Sequence, residues 1–194
     1  MTQRIPHARH AAIIAVGALL LASPACAQPP SNSTTLFYSP ALEAPFGDRV
    51  GETILNYNRV SPYIATAGLL QAGGVAEAKK LGFQTIIDLR RPDEPDQSAE
   101  AGLAAAAHIR YLSIPIAEAA PTEEQLALFA ATLSETDNQP VLVHCASANR
   151  AGAMWALYRA SAGVPPAIAI EEGRAAGLKS REAQVREILG LSPL

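Results

Sequence analysis

The chain has 194 residues, of which 49% are hydrophobic and 17% charged, and its formal net charge is −3. That length suits one α/β domain with a substantial core. The slight acidic excess argues against nucleic acid and anionic membrane surfaces as partners, since both favour basic proteins.

The first 27 residues read as a segment apart from the fold. "MTQRIPHARH" carries Arg4 and Arg9, "AAIIAVGALLLA" is an apolar run of 12 residues, and "ACAQ" offers small residues for cleavage after Ala27. This is the layout of a secretory signal peptide, and the run is short for a membrane span. A rival reading makes Cys26 the lipidated N-terminus of a lipoprotein, but Ser23 stands where a large apolar residue is wanted. The expectation is a periplasmic or secreted protein with no integral membrane span in its mature chain. Loss of residues 1–27 leaves 13 basic and 18 acidic residues, a net charge of −5. It also leaves Cys145 unpaired in an oxidising compartment, where a lone cysteine needs a reason.

Residues 28–54 are rich in Pro, Ser, Thr and Asn and read as a loosely ordered lead-in to a domain over 55–194. "LNYNRVSPYIATAG" suggests a first strand. "GGVAEAKKLG" reads as a short helix stopped at Gly82, "FQTIIDL" as a strand, and "DQSAEAGLAAAA" as a helix with Asp96 as N-cap. "IRYLSIPI" is the next strand. Thr122 and Gln125 then form a capping box ahead of an apolar face at Leu126, Phe129, Ala130 and Leu133. "PVLVHC" is the most apolar strand and belongs at the centre of a sheet. Three helical segments follow: "AGAMWALYRASA" stopped by Gly163, "AIAIEEGRAAG" stopped by Gly177, and "REAQVREIL" with Ser180 as cap and Gly190 as stop. Strand–helix alternation with a helical C-terminal part predicts a three-layer α/β domain with a mainly parallel central sheet.

The chemistry concentrates in "HCASANRAG". Ligands of open α/β sheets gather at the carboxyl ends of strands, and a helix N-terminus offers unpaired amides to an anion. Ala146, Ser147, Ala148 and Asn149 are small enough for their amides to curl into a nest, and Arg150 adds a planar fork for two oxygens of one anion. A cysteine on the floor of that nest is favoured as thiolate, and a thiolate facing a bound phosphate is a nucleophile. The chemistry implied is phosphoryl transfer to sulfur and hydrolysis of the thiophosphate, with no metal or other cofactor. Asp93, Glu94 and Asp96 make a second acidic loop within possible reach of the pocket. Arg90 and Arg91, with Asp93 and Glu94, read as a solvated charge cluster, and Trp155, Leu157 and Tyr158 as core and flank.

On "IATAG…LGFQTIIDLRRPDE", "YLSIPI" and "VLVHCASANRAGAMWALYR", over about residues 55–165, the chain resembles the cysteine-dependent protein tyrosine and dual-specificity phosphatases. It is most similar to their small bacterial branch, also found joined to β-lactamase-like hydrolases. The resemblance implies Cys145 as nucleophile, Arg150 as phosphate ligand, and His144 as a supporting residue that orders the loop. It puts the general acid in the loop after "YLSIPI", where the acid is Glu118. It implies a phosphorylated protein or small phosphomonoester as substrate.

Three positions depart from the family pattern. Four residues separate Cys145 from Arg150, one fewer than usual; Ala148 stands near a common loop glycine; Ala151 replaces a frequent Ser or Thr. Rhodanese sulfurtransferases use such a shorter loop to hold a persulfide. Three readings therefore stand: a thiol-based phosphatase, a rhodanese-like sulfur carrier, and a catalytically silent anion-binding relative.

Overall fold

The structure, a computed structural model, describes residues 43–193. The proposed signal peptide and the first part of the lead-in lie outside them. Residues 43–54 do not hang free: Ala44 and Ile54 are buried against the domain, either side of a short 3-10 turn at Gly47–Arg49.

The segment expected as one first strand is a hairpin. β1 (Asn58–Ser61) and β2 (Ile64–Ala67) pair antiparallel, with a register shift between Arg59 and Ser61. Pro62 stands in the turn between them, where a missing amide helps end β1. The chain then alternates: α1 (Gly74–Lys80), β3 (Thr85–Asp88), α2 (Gln97–Ala106), β4 (Arg110–Ser113), α3 (Glu123–Ser134) and β5 (Val141–His144). α4 (Asn149–Ser161), α5 (Pro166–Ala175) and α6 (Glu182–Ile188) complete it. Sheet order is β1-β2-β5-β3-β4, with every pair parallel except β1–β2. β5 thus takes the centre that its apolar sequence predicts.

Alternation along β5 divides the core. Val141 and Val143 face one layer with Phe129, Met154 and Trp155, while Leu142 faces the other with Phe83, Val75 and Ala104. Helices consequently cover both faces, and no helix among the described residues is long and apolar enough to cross a membrane. α4 is buried continuously from Arg150 to Leu157, because α5 and α6 close its outer side around Ala153, Ala156, Ile170, Leu178 and Val185.

The capping box of Thr122 and Gln125 is formed, with both reciprocal bonds present. Gly82, Gly163, Gly177 and Gly190 all take positive φ at their helix ends. One expected cap keeps its position without its bond, and another is displaced. Asp96 stands at the N-cap of α2 with φ 60° and no side-chain cap bond. Ser180 does not cap α6; Arg181 occupies that position, and the Ser180 hydroxyl accepts from Asn149.

Candidate active site

β5 ends at His144, and Cys145 sits at its carboxyl end, 1% exposed. The loop Ala146–Asn149 turns sharply into α4. The turn is made at Ala148, whose φ of 67° is the left-handed conformation that favours glycine. Ala148 is fully buried, and a Cβ on Gly177 would lie 2.5 Å from its own, so the loop is wedged against the α5–α6 connection. The amides of Ala146, Asn149 and Arg150 find no backbone acceptor among the described residues. Those of Asn149 and Arg150 are the unpaired donors expected at a helix start.

Arg150 is buried, and its guanidinium points back toward the sheet. Nη1 donates to the Leu89 carbonyl at 3.2 Å and to Glu94 Oε1 at 2.5 Å, while Nη2 donates to Glu94 Oε2 at 2.6 Å. This bidentate pair holds the Glu94 carboxyl down at about 2, the Arg150 hydrogen bond being the main cause and partial burial opposing it. Glu94 raises the Arg150 value in return, and the adjacent Cys145 sulfur adds to that rise. The structure therefore brings Cys145, Arg150 and Glu94 together.

The charge cluster read as solvated divides in two. Arg91 is exposed, paired with Asp93 at 2.9 Å. Arg90 is 1% exposed and turned inward. It grips Asp88 through Nε and Nη2 and reaches Glu100 Oε2 at 2.8 Å. Tyr111 donates to Asp88 Oδ2 at 2.6 Å, and His144 Nε2 lies 2.7 Å from Glu100 Oε1 and 3.5 Å from Asp88 Oδ1. Burial works to raise the Asp88 carboxyl, but Arg90, His144 and Tyr111 together hold it below its ordinary value. Asp88, Glu100 and His144 have a ligand geometry that could gather a cation. The Arg90 guanidinium already takes an oxygen of each carboxylate there, so the donor set is matched to arginine instead. The cluster forms a polar floor joining β3, α2 and β5 behind Cys145.

A cleft of about 290 Å³ opens above, lined by Arg91, Glu94, Ile116, Ala117, Ser147, Asn149, Arg150 and Arg181. Glu118 is exposed and borders this lining; its backbone carbonyl accepts from Arg181 Nη1. Asp96 lies elsewhere, on a larger hollow of about 540 Å³ between α1 and α2. The sequence reading missed Arg90, Glu100, the Glu94 partnership and Arg181. Only Glu94 had a signal, its membership of the second acidic loop.

A buried cysteine and arginine bracketing a helix-starting loop at the centre of a mainly parallel sheet define the phosphatase-like α/β fold. The family profile "Beta-lactamase hydrolase-like protein, phosphatase-like domain" matches residues 56–162, more than half the chain, and the protein belongs to that family. Among solved structures, a DUF442 protein from Shewanella putrefaciens CN-32 is similar at 21% identity and TM-score 0.56, covering 73% of this chain and 97% of its own. TpbA from P. aeruginosa is 25% identical with TM-score 0.57, covering 77% and 91% respectively. Tk-PTP in its active form is 20% identical with TM-score 0.58, covering 69% and 95%. No curated protein matches the chain.

Proposed function

We propose that the protein is a thiol-based phosphomonoester phosphatase working through a phosphocysteine intermediate. The observation that carries this reading is Cys145 at the end of the central strand, beside the Arg150 guanidinium and below the unpaired amides of the loop. An anion bound in that loop would take these amides as donors, the kind of contact that stabilises charge developing on phosphoryl oxygens.

In the proposed reaction the Cys145 thiolate attacks phosphorus and the ester P–O bond breaks, the leaving oxygen taking a proton. Water then attacks phosphorus and returns a proton to the acid, and the S–P bond breaks to release phosphate and thiolate. Glu118 is the proposed acid. Glu94 is unsuited because Arg150 keeps it ionised, with its value at about 2. Asp93 is engaged by Arg91, and Asp96 faces the other hollow. Glu118 directly follows Ile116 and Ala117, which line the cleft.

The test is hydrolysis of phenyl phosphate by the purified protein beside Cys145→Ser. Turnover lost in the variant is expected; equal rates, or no turnover by either, would overturn the reading. In the second case the four-residue loop favours a sulfur carrier, detected as one added sulfur on Cys145 after thiosulfate treatment. We propose export on the strength of residues 1–27 alone, and N-terminal sequencing of the protein recovered outside the cytoplasm tests cleavage after Ala27.

A further inference from the structure

Three guanidiniums border the cleft, and their partners differ. Arg91 is neutralised by Asp93, and Arg150 by Glu94. Arg181 has no carboxylate within ion-pair distance among the described residues: Nη1 donates to the neutral carbonyl of Glu118. It is nevertheless partly buried, and it stands near enough to Arg150, Cys145 and Glu94 for each to act on it. Burial first, and then Arg150, push its value down, while Cys145 and Glu94 work the other way. An arginine held in a cleft against desolvation and a like charge has an unmet need for an anion.

The backbone that carries this side chain is fastened to the loop. The Asn149 carboxamide oxygen accepts from the amides of Lys179 at 2.8 Å and Arg181 at 3.4 Å, and its nitrogen donates to Ser180 Oγ at 2.7 Å. One residue of the anion loop thus fastens the α5–α6 connection beside itself. Gly177, with φ 106°, lets that connection approach Ala148. Arg181 lies beyond the residues that the family profile covers.

Resting on the phosphatase reading, we infer that Arg181 is a substrate-positioning residue for a second anionic group. The substrate class is accordingly a small phosphomonoester bearing a second phosphate or a carboxylate close to the scissile one. The reacting phosphate takes the loop and Arg150, and the second anion takes the free side of Arg181. A charge-assisted contact of this kind is worth about 10- to 100-fold in kcat/KM.

The experiment compares phenyl phosphate, 3-carboxyphenyl phosphate and 1,3-phenylene bisphosphate as substrates of the full protein, of Arg181→Gln and of Arg181→Lys. Binding of the same compounds to Cys145→Ser and to Cys145→Ser/Arg181→Gln is measured by calorimetry. Wild type should prefer one or both doubly charged compounds over phenyl phosphate, and the preferred compound identifies the second group. Arg181→Gln should reduce that preference by about 10-fold or more, chiefly through KM, with partial recovery in Arg181→Lys. Equal losses on all three compounds, or no preference in wild type, would overturn the assignment. If wild type hydrolyses none, yet Cys145→Ser binds a doubly charged compound more tightly only while Arg181 is present, the anion subsite stands and the phosphatase reading falls. Absence of both turnover and Arg181-dependent binding would overturn both.

Discussion

Replacing Gly152 with alanine puts one methyl group where α4 touches the helical C-terminal part. A Cβ built there lies 2.1 Å from Leu178 N, 2.7 Å from Leu178 Cα and 2.8 Å from the Gly173 carbonyl oxygen. Comfortable carbon contacts fall at about 3.5–4.0 Å, so the opposing chain must recede by roughly 1 Å. Every one of these atoms is backbone, and Leu178 N is itself hydrogen-bonded to Gly173 O at 2.8 Å. No side-chain rotation can relieve the clash. Overpacking typically costs about 1–3 kcal/mol, and the upper end applies where backbone must move. In a domain of this size about 3 kcal/mol lowers Tm by roughly 6–12 °C. Urea unfolding should show a lower midpoint with unchanged slope. Gly102→Ala supplies the contrast: Gly102 lies within α2, and nothing stands within 4 Å of the added Cβ. That variant should gain about 0.5–1 kcal/mol from helix propensity. Gly152→Ala within about 0.5 kcal/mol of wild type would refute the close approach of α4 to the α5–α6 connection.

Glu94→Gln should destabilise the protein at neutral pH, and the difference should shrink on acidification. The folded value of about 2 lies below the unfolded value of about 4.3, so the contribution is full above the latter and fades as pH falls toward the former. A wild-type-to-variant gap that stays constant from pH 6 to pH 2 in urea titrations would contradict the Arg150 pairing. Ala148→Gly relieves a residue at φ 67° and should raise stability by up to about 1 kcal/mol; a lower urea midpoint would mean that the buried methyl matters more than the conformation. Glu118→Gln should slow alkyl phosphate hydrolysis by about 10²–10⁴-fold and phenyl phosphate hydrolysis less, because phenol is the better leaving group. Equal effects on both would remove Glu118 as the acid.

What could be read in advance was what neighbouring residues decide. The capping box at Thr122 and Gln125, the glycine stops and the handover from β5 through Cys145 to α4 are each written within a few positions. Ala148 shows the limit of such reading: it stands where a loop glycine is common, and the backbone takes the glycine conformation regardless, held by packing against Gly177. Arg90 and Arg91 show why local composition fails. They are adjacent and chemically identical, yet on leaving β3 one turns under the sheet to Asp88 and Glu100 while the other turns to solvent and Asp93. Only the docking of α2, which brings Glu100 to Arg90, decides which is which. The pairing of Glu94 with Arg150 spans 56 positions and that of Arg181 with the Glu118 carbonyl spans 63, so neither leaves a pattern in a local window.

These distant pairings arrange charge in two tiers around Cys145. Beneath it, Asp88 and Glu100 meet Arg90 and His144 in a buried cluster. Breaking one partner of such a cluster leaves an uncompensated buried charge, so the floor of the loop resists movement. Above it, Glu94 fixes the guanidinium of Arg150 and cancels much of its charge. A cleft containing just that pair would offer an incoming phosphate dianion modest electrostatic attraction. Arg181, unmatched by any carboxylate among the described residues, restores the positive balance. It does so from the C-terminal part, through a connection that the loop residue Asn149 holds in place. In the proposed reaction, attraction of the substrate and fixation of the loop therefore fall to different elements of the fold.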